Sequence, residues 1–297
     1  MKKMFALGLA ACMLLAGCGG NAGSSSSEAA SSAPASSSEA ASSSEASATF
    51  TTVEPGKFTV GMECAYAPFN WTQLEQTDTS IDIGGNSYAD GYDVVMAKYI
   101  ADKLGLELVI KPTAWEGLEP AVNNDAIDAI IAGMTATPER AENVDFTTPY
   151  YQSEMVVIVR SDSDVANIKD IQELSGKKVL GQINTLYDDV IEQINGVQHA
   201  TPLATYPLMV VALQNKEVDA LTAELPVAVG VTATNPDLKY ITFESGKGFE
   251  ADTSVSIAVK KGNTALLDAV QGATDTIDEE TRQQWMIDAT SRQPAQE

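Results

Sequence analysis

Arg140 lies five residues after Thr135 and just inside a helix start marked by Thr137 at the N-cap and Pro138 in the first turn. A guanidinium in the loop that follows a strand grips a carboxylate through two parallel N–H bonds, and the Thr135 hydroxyl and nearby backbone N–H groups donate to the same oxygens. Its neighbours Glu139 and Glu142 offer the alternative of a surface ion pair. Glu224 supplies an anion at a second strand end, suited to an ammonium; its alternative is a solvated loop acid. Together the two charges match the two ends of a zwitterion. Tyr66, Phe69 and Trp71 cluster after the first strand, where core packing is the default for each, and Trp115 follows the second. Trp115, between Pro112 and a helix beginning at Glu116, is the better candidate to face a ligand. Glu63 is one acid more than the backbone groups of a zwitterion require. Three residues before Tyr66 and near Trp115, it favours a cationic or strongly hydrogen-bonding side chain, arginine or lysine first and glutamine or another polar amino acid second. The alternative is that Glu63 only accepts from loop N–H groups.

Other chemistries find little support. His199 is the only histidine, there is no His/Cys metal spacing, and no phosphate-cradling glycine loop occurs, so no metal or cofactor is expected. An enzyme is not expected, although Glu63 as a base keeps a dehydratase-like activity open. The formal charge of −23, or −25 once Lys2 and Lys3 are removed with a signal, argues against nucleic acid or anionic lipid as a surface-bound partner.

The elements that must position these residues alternate between short β-rich and amphipathic helical runs, the pattern of α/β units with parallel strands. Lys57 to Met62 reads as a strand. A helix follows with Asp93 at its N-cap, Val94, Ala97, Ala101 and Leu104 at helical spacing, and Gly105 at its end. Leu106 to Lys111 is a strand stopped by Pro112, Glu116 to Asn123 a short helix, and Ala126 to Ala132 a buried strand. Met155 to Val159 and Val255 to Val259 are β-rich runs read as strands crossing between two lobes. Between them fall a helix at Ile168 to Leu174, a strand near Lys178 to Gly181, and a helix led by Asn184 or Thr185 and carrying Val190, Ile191 and Ile194. Thr185 joins the expected ligand-facing residues. A helical pattern closes the chain.

An internal repeat organises the rest. Residues 121–133 (AVNNDAIDAIIAG) align without gaps on residues 212–224 (ALQNKEVDALTAE), an offset of 91, with five of thirteen positions identical. Each copy reads as a helix end, a turn, an Asp-Ala strand and a loop, so each lobe is expected to hold the same unit. Ligands of open α/β sheets collect at the carboxyl ends of strands. The repeat therefore points to Gly133-Met134-Thr135 in one lobe and Ala223-Glu224-Leu225 in the other, facing one cleft.

The first residues concern address rather than fold. Lys2 and Lys3 precede an apolar stretch from Met4 to Ala16, too short to span a membrane as a mature helix, and Leu15-Ala16-Gly17-Cys18 resembles a bacterial lipobox. The expected division is a lipoprotein signal peptide at 1–17 and a lipidated Cys18 opening a disordered Ser/Ala/Glu linker at 18–49. Residues 50–157 and 255–297 would form lobe 1, and 158–254 lobe 2. Some thirty flexible residues reach about 30 Å, which suits a tether. Cys64 is then the only thiol in the folded part, so no disulfide forms within one chain.

Gly61-Met-Glu-Cys-Ala-Tyr-Ala-Pro-Phe69, Gly91-Tyr-Asp93, Trp115-Glu-Gly-Leu118, Ile127-Asp-Ala129 and Thr137-Pro-Glu-Arg140 come in the order found in the polar amino-acid-binding proteins of ABC importers. Asp145-Phe-Thr-Thr-Pro-Tyr150, Gly176-Lys-Lys-Val179 and Val218-Asp-Ala220 continue the series, and from about Lys57 onward the chain resembles that family. The resemblance implies an α/β two-lobe type II periplasmic-binding-protein fold with two crossover strands and the ligand in the interlobe cleft. It implies that Thr135 and Arg140 grip an α-carboxylate, that Glu224 receives the α-ammonium, and that Tyr66 and Trp115 flank the side chain. It further implies a monomeric extracytoplasmic receptor, anchored at the cell membrane through Cys18, that delivers a free L-amino acid to permease subunits. A sensory module reporting to a signalling partner is the alternative. The chain departs from many members in having Glu224 for Asp, Val95 for a second acid, Ala132 or Gly133 for serine, and a longer segment from Thr72 to Tyr88.

Overall fold

The computed structural model describes residues 50–294, so the signal, Cys18 and the linker lie outside the described residues. Two five-stranded sheets organise the chain. The first has the order Glu107–Pro112, Lys57–Met62, Ala129–Ile130, Ala258–Lys260, Val144–Phe146. The second has the order Gln198–His199, Lys178–Leu180, Ala220–Glu224, Met155–Arg160, Leu238–Ile241. In each, three parallel strands are followed by one that runs antiparallel to both its neighbours. Strands covered on both faces read as unbroken apolar runs, and Met155–Arg160 is buried from Met155 through Val159.

The repeat is literal in three dimensions. Asp125 and Lys216, at matched positions, both adopt left-handed backbone, with φ of 56° and 63°. The helix-ending bonds match as well: Ala126 N–H donates to the Ala121 carbonyl, and Glu217 N–H to that of Ala212. Asp128 and Asp219 then pin the strand starts, their carboxylates accepting from the N–H groups of Thr59 and Lys178. Each lobe thus delivers its next loop to the carboxyl end of its sheet by the same helix, turn and strand.

Several expected elements take a different form. The helix Tyr92–Leu104 ends at left-handed Gly105 as expected, but its N-cap is Gly91, at φ 131°. A Cβ on Gly91 would lie 2.3 Å from the Phe69 carbonyl oxygen, so glycine is required, and Asp93 sits inside the first turn with its carboxylate turned into the protein. The expected strand from Ala126 to Ala132 is regular only at Ala129–Ile130, because Ala126 still closes the preceding helix and Gly133 turns the chain at φ 59°. The expected helix at Ile168–Leu174 is a 3₁₀ turn over Ile171–Leu174, begun late by an Asp170/Glu173 capping box.

Met155–Arg160, expected to cross between the lobes, lies wholly in the second sheet. The chain crosses just before it, where Tyr151–Gln152 pairs antiparallel with Ser254–Val255. Val259, expected in the other crossing strand, belongs to the first sheet. The Thr72–Tyr88 segment builds a separate antiparallel sheet, Ala65–Tyr66, Asn70–Gln73, Ser87–Asp90 and Ile81–Gly84 in that spatial order. That sheet fixes the loop carrying Tyr66, which pairs with Asn70. Among the described residues no helix is long and apolar enough to cross a membrane.

Candidate functional site

The loops at the carboxyl ends of the two sheets meet across one cleft. Lys57–Met62 leads to Glu63 and Tyr66, Glu107–Pro112 to Trp115, Ala129–Ile130 to Gly133 and Thr135, and Lys178–Leu180 to Gln182 and Thr185. Seven of the eight expected residues, Glu63, Tyr66, Trp115, Gly133, Thr135, Arg140 and Thr185, line one interlobe cavity together with Gln182, Leu186 and Tyr187. Its free volume is ≈ 10 Å³, about the room of one water molecule, so the lobes stand closed. Glu224 lies one layer deeper, fully buried, and the Tyr66 hydroxyl donates to its Oε1. The loop at Gly133 packs against Tyr66 so closely that a Cβ there would lie 2.9 Å from the ring.

Arg140 is held from four directions. Its Nη1 donates to the Thr135 carbonyl and its Nη2 to the Asn184 carbonyl, each at 3.0 Å. Its guanidinium lies 5.1 Å from the centre of the Trp115 ring, and Nε is 3.6 Å from Glu119. The expected helix start is present: Thr137 caps Pro138–Asn143, its hydroxyl accepting from the Arg140 N–H. The ion pairs foreseen with Glu139 or Glu142 are replaced by the one with Glu119.

Three acids in and behind the cavity, Glu224, Glu63 and Asp93, are raised by burial. Burial pushes the Glu224 carboxyl up to about 7, the Tyr66 hydroxyl bond opposing it, and Oε2 has no hydrogen-bond partner among the described residues. Burial also pushes Glu63 up to about 7, against the opposing bonds from Gln182 Nε2 to both its oxygens at 3.2 and 3.3 Å. Asp93, likewise raised by burial to about 6, accepts from Tyr150 and Asn70. The Tyr150 hydroxyl in turn accepts from the Gly133 N–H, so Asp93 fixes the loop that carries Thr135.

These shifts set a pH dependence with a definite sign. A carboxyl raised in the folded state binds its proton more tightly there than in the unfolded chain, so stability falls as pH rises from the ordinary carboxylate range toward about 7. His199 acts in the same direction: burial opposes protonation, but Asp188 and Glu192 outweigh it and raise the imidazole. Asp145, Asp164, Asp170 and Asp278 are lowered by their surface partners and matter only in stronger acid. The ligand-free protein is therefore expected to melt at a higher temperature near pH 5.5 than near pH 8 in scanning calorimetry. A melting point that rises with pH across that window would show that the acids are not buried without a cation.

Three residues outside the expected ligand-facing set also shape the site. Asn184, left-handed at φ 56°, accepts through its carbonyl from Trp115 Nε1 and Arg140 Nη2, and its amide donates to Glu116. One residue of the second lobe thus makes three bonds with the first. Gln182 reaches across to Glu63, and Tyr187 brings a buried hydroxyl without a partner among the described residues. Asparagine, a residue type that tolerates left-handed backbone, just ahead of a helix is a usable sequence signal for Asn184; nothing local marks Gln182. Thr185 lines the cavity, but its hydroxyl turns back to the Gln182 carbonyl.

Two similar α/β lobes joined by a paired crossing and closed over a charged cavity define a hinged binding protein. The profile of the bacterial extracellular solute-binding proteins, family 3, matches residues 58–287, and the chain belongs to that family. A probable histidine-binding protein of Campylobacter jejuni is 34% identical over 64% of this chain and 69% of its own length. The ABC transporter arginine-binding protein 1 of Escherichia coli is 28% identical over 78% of this chain and 89% of its own. Among solved structures, the amino acid ABC transporter substrate-binding protein AbpA of Streptococcus pneumoniae, bound to L-arginine, superposes with a TM-score of 0.69. It is 28% identical and covers 80% of this chain and 95% of its own.

Proposed function

We propose that this chain is the extracytoplasmic substrate-binding component of an ABC importer, and that it closes over a free L-amino acid with a basic or polar side chain. The observation that carries this reading is the placement of Arg140 in the cavity wall of one lobe and, on the other lobe just behind the cavity residue Tyr66, a fully buried Glu224 with one oxygen unpartnered among the described residues. A zwitterion supplies what each lacks: its carboxylate takes the guanidinium with Thr135, and its ammonium takes Glu224 beside Tyr66 and Tyr187. Glu63 and Gln182 lie at the side-chain end, next to the Trp115 indole, and an acid there selects a cation or a strong donor. Closure adds the contacts of the second lobe, so a ligand shifts the open–closed equilibrium in proportion to what it gains from both.

The relatives named above support a binder rather than an enzyme. A thermal-shift screen of the twenty amino acids tests the reading, because a ligand at a hundred times its dissociation constant adds about 2.7 kcal/mol of stability. Arginine or lysine is expected to give the largest shift, and glutamine or another polar amino acid the next. A larger shift with an aliphatic or acidic amino acid would refute the role of Glu63, and no shift with any would refute the function.

The receptor is proposed to sit at the outer face of the cell membrane, as on a Gram-positive cell, held by lipid on Cys18 and serving permease subunits as a monomer. Cys18→Ser is expected to release it from the membrane fraction. Retention of that variant after fractionation would rule the anchor out.

A further inference from the structure

A second cavity of ≈ 350 Å³ adjoins the central one and shares two of its walls, Glu63 and Trp115. Both lobes build it. Ala65 and Pro112 line it from the first, Ile183 and Ala204 from the second, so small and apolar side chains make most of its surface. What separates it from the central cavity is the Glu63 carboxylate with its two long bonds from Gln182, whose amide also donates to the Ala204 carbonyl at 2.9 Å. An acid stands at the doorway, and the chamber beyond it is largely apolar.

We propose that this chamber is a distal subsite for alkyl extensions carried on the terminal nitrogen of a basic amino acid. The inference rests on the amino-acid reading of the cleft and extends it. A side-chain cation drawn to Glu63 would present its far side to the chamber, where an alkyl group finds the methyls of Ala65 and Ala204, the Pro112 ring and Ile183. Thr113, Glu116 and Thr205 also line it, so a polar extension would find partners there, but the apolar groups present the larger surface. Burial of a few methylenes in an apolar pocket is worth roughly ten- to two-hundredfold in affinity per group when the fit is good, and far less when the pocket is partly open, as here. Substitution on the terminal nitrogen is therefore expected to be accepted at little or no loss, where a fitted pocket ending at Glu63 would reject it. Because the walls come from both lobes, the extension would be held fully only on closure.

The test is calorimetric titration of the full chain with L-arginine, L-lysine and Nω-propyl-L-arginine, repeated with Ala204→Trp and the milder Ala204→Leu, both checked by their melting curves. Ala204 is exposed, so neither substitution fills the buried core. In the unsubstituted protein the propyl derivative is expected to bind within about threefold of arginine or more tightly. Filling the chamber should weaken the propyl derivative at least about tenfold while arginine stays within about threefold. Arginine binding with tenfold or stronger rejection of the propyl derivative, or equal losses for both ligands in the filled variants, overturns the distal subsite alone. Failure of both arginine and lysine to bind overturns the basic-ligand reading and the subsite with it.

Discussion

Arg140→Ala is expected to lower amino-acid affinity more than about a hundredfold, a loss of at least about 3 kcal/mol, while the protein still folds. The fold should survive because the guanidinium bonds two loop carbonyls and one partly exposed acid, and the Thr137 cap uses only the Arg140 backbone N–H. The ligand fares differently. Its carboxylate enters a closed cavity whose other charged lining residue is the acid Glu63, and without the guanidinium it is buried there with no cation among the lining residues. Arg140→Lys keeps the charge but not the planar fork, and it also loses the stacking on Trp115, so an intermediate affinity is expected. Near-normal affinity in the alanine variant, measured calorimetrically, would move the carboxylate elsewhere.

What the sequence made legible was local. Thr137 and Pro138 announced a helix start, Gly105 a helix end, and the Asp-Ala strands a repeated unit whose matched turns share left-handed backbone at Asp125 and Lys216. Each of these is decided within a few residues by capping, steric or turn chemistry, so the pattern is written in the chain itself. The errors came where a distant partner decides. Asp93 has a good N-cap residue type, yet the approach of Phe69 forces glycine at position 91 and leaves Asp93 to Tyr150 and Asn70. Met155–Val159 looks the same on paper whether it crosses between lobes or pairs with Ala220–Glu224, and only sheet register tells them apart.

The site followed the same division. Residues at strand ends can be read from the sequence, and the structure brings seven of them to one cavity, whereas the way the lobes face each other cannot be read. Hence the resemblance places Tyr66 beside the ligand's side chain, while in the structure its hydroxyl bonds the acid of the opposite lobe. Hence also nothing in the sequence marks the three bonds gathered by Asn184. Those bonds join Trp115, Glu116 and Arg140 to one residue across the cleft, and they belong to closure rather than to either lobe alone.

Glu224→Gln is expected to separate binding from stability, with the two moving in opposite directions. In the closed, ligand-free cleft the carboxyl is fully buried, has no cation beside it, and leaves Oε2 without a partner among the described residues. A neutral amide of the same shape removes that charge. Its oxygen can still accept from Tyr66, and its NH₂ can donate to the unpartnered Tyr187 hydroxyl, so the variant should melt at a higher temperature than the parent near pH 8. Because a titrating acid is gone, the fall in stability between about pH 5.5 and pH 8 should also become shallower, leaving Glu63 and Asp93 as its main carboxyl sources. Binding should suffer. An ammonium arriving at the substituted side chain meets one neutral acceptor and an NH₂ that is itself a donor, and a buried cation robbed of its anion costs roughly 3 kcal/mol or more, again about a hundredfold. Calorimetry on the ligand-free protein and titration with the amino acid that performs best in the screen, both near pH 8, measure the two arms. Unchanged affinity would mean that the ammonium does not reach Glu224. A lower melting point with affinity lost would mean that the acid holds the lobes together through Tyr66 rather than waiting for a ligand.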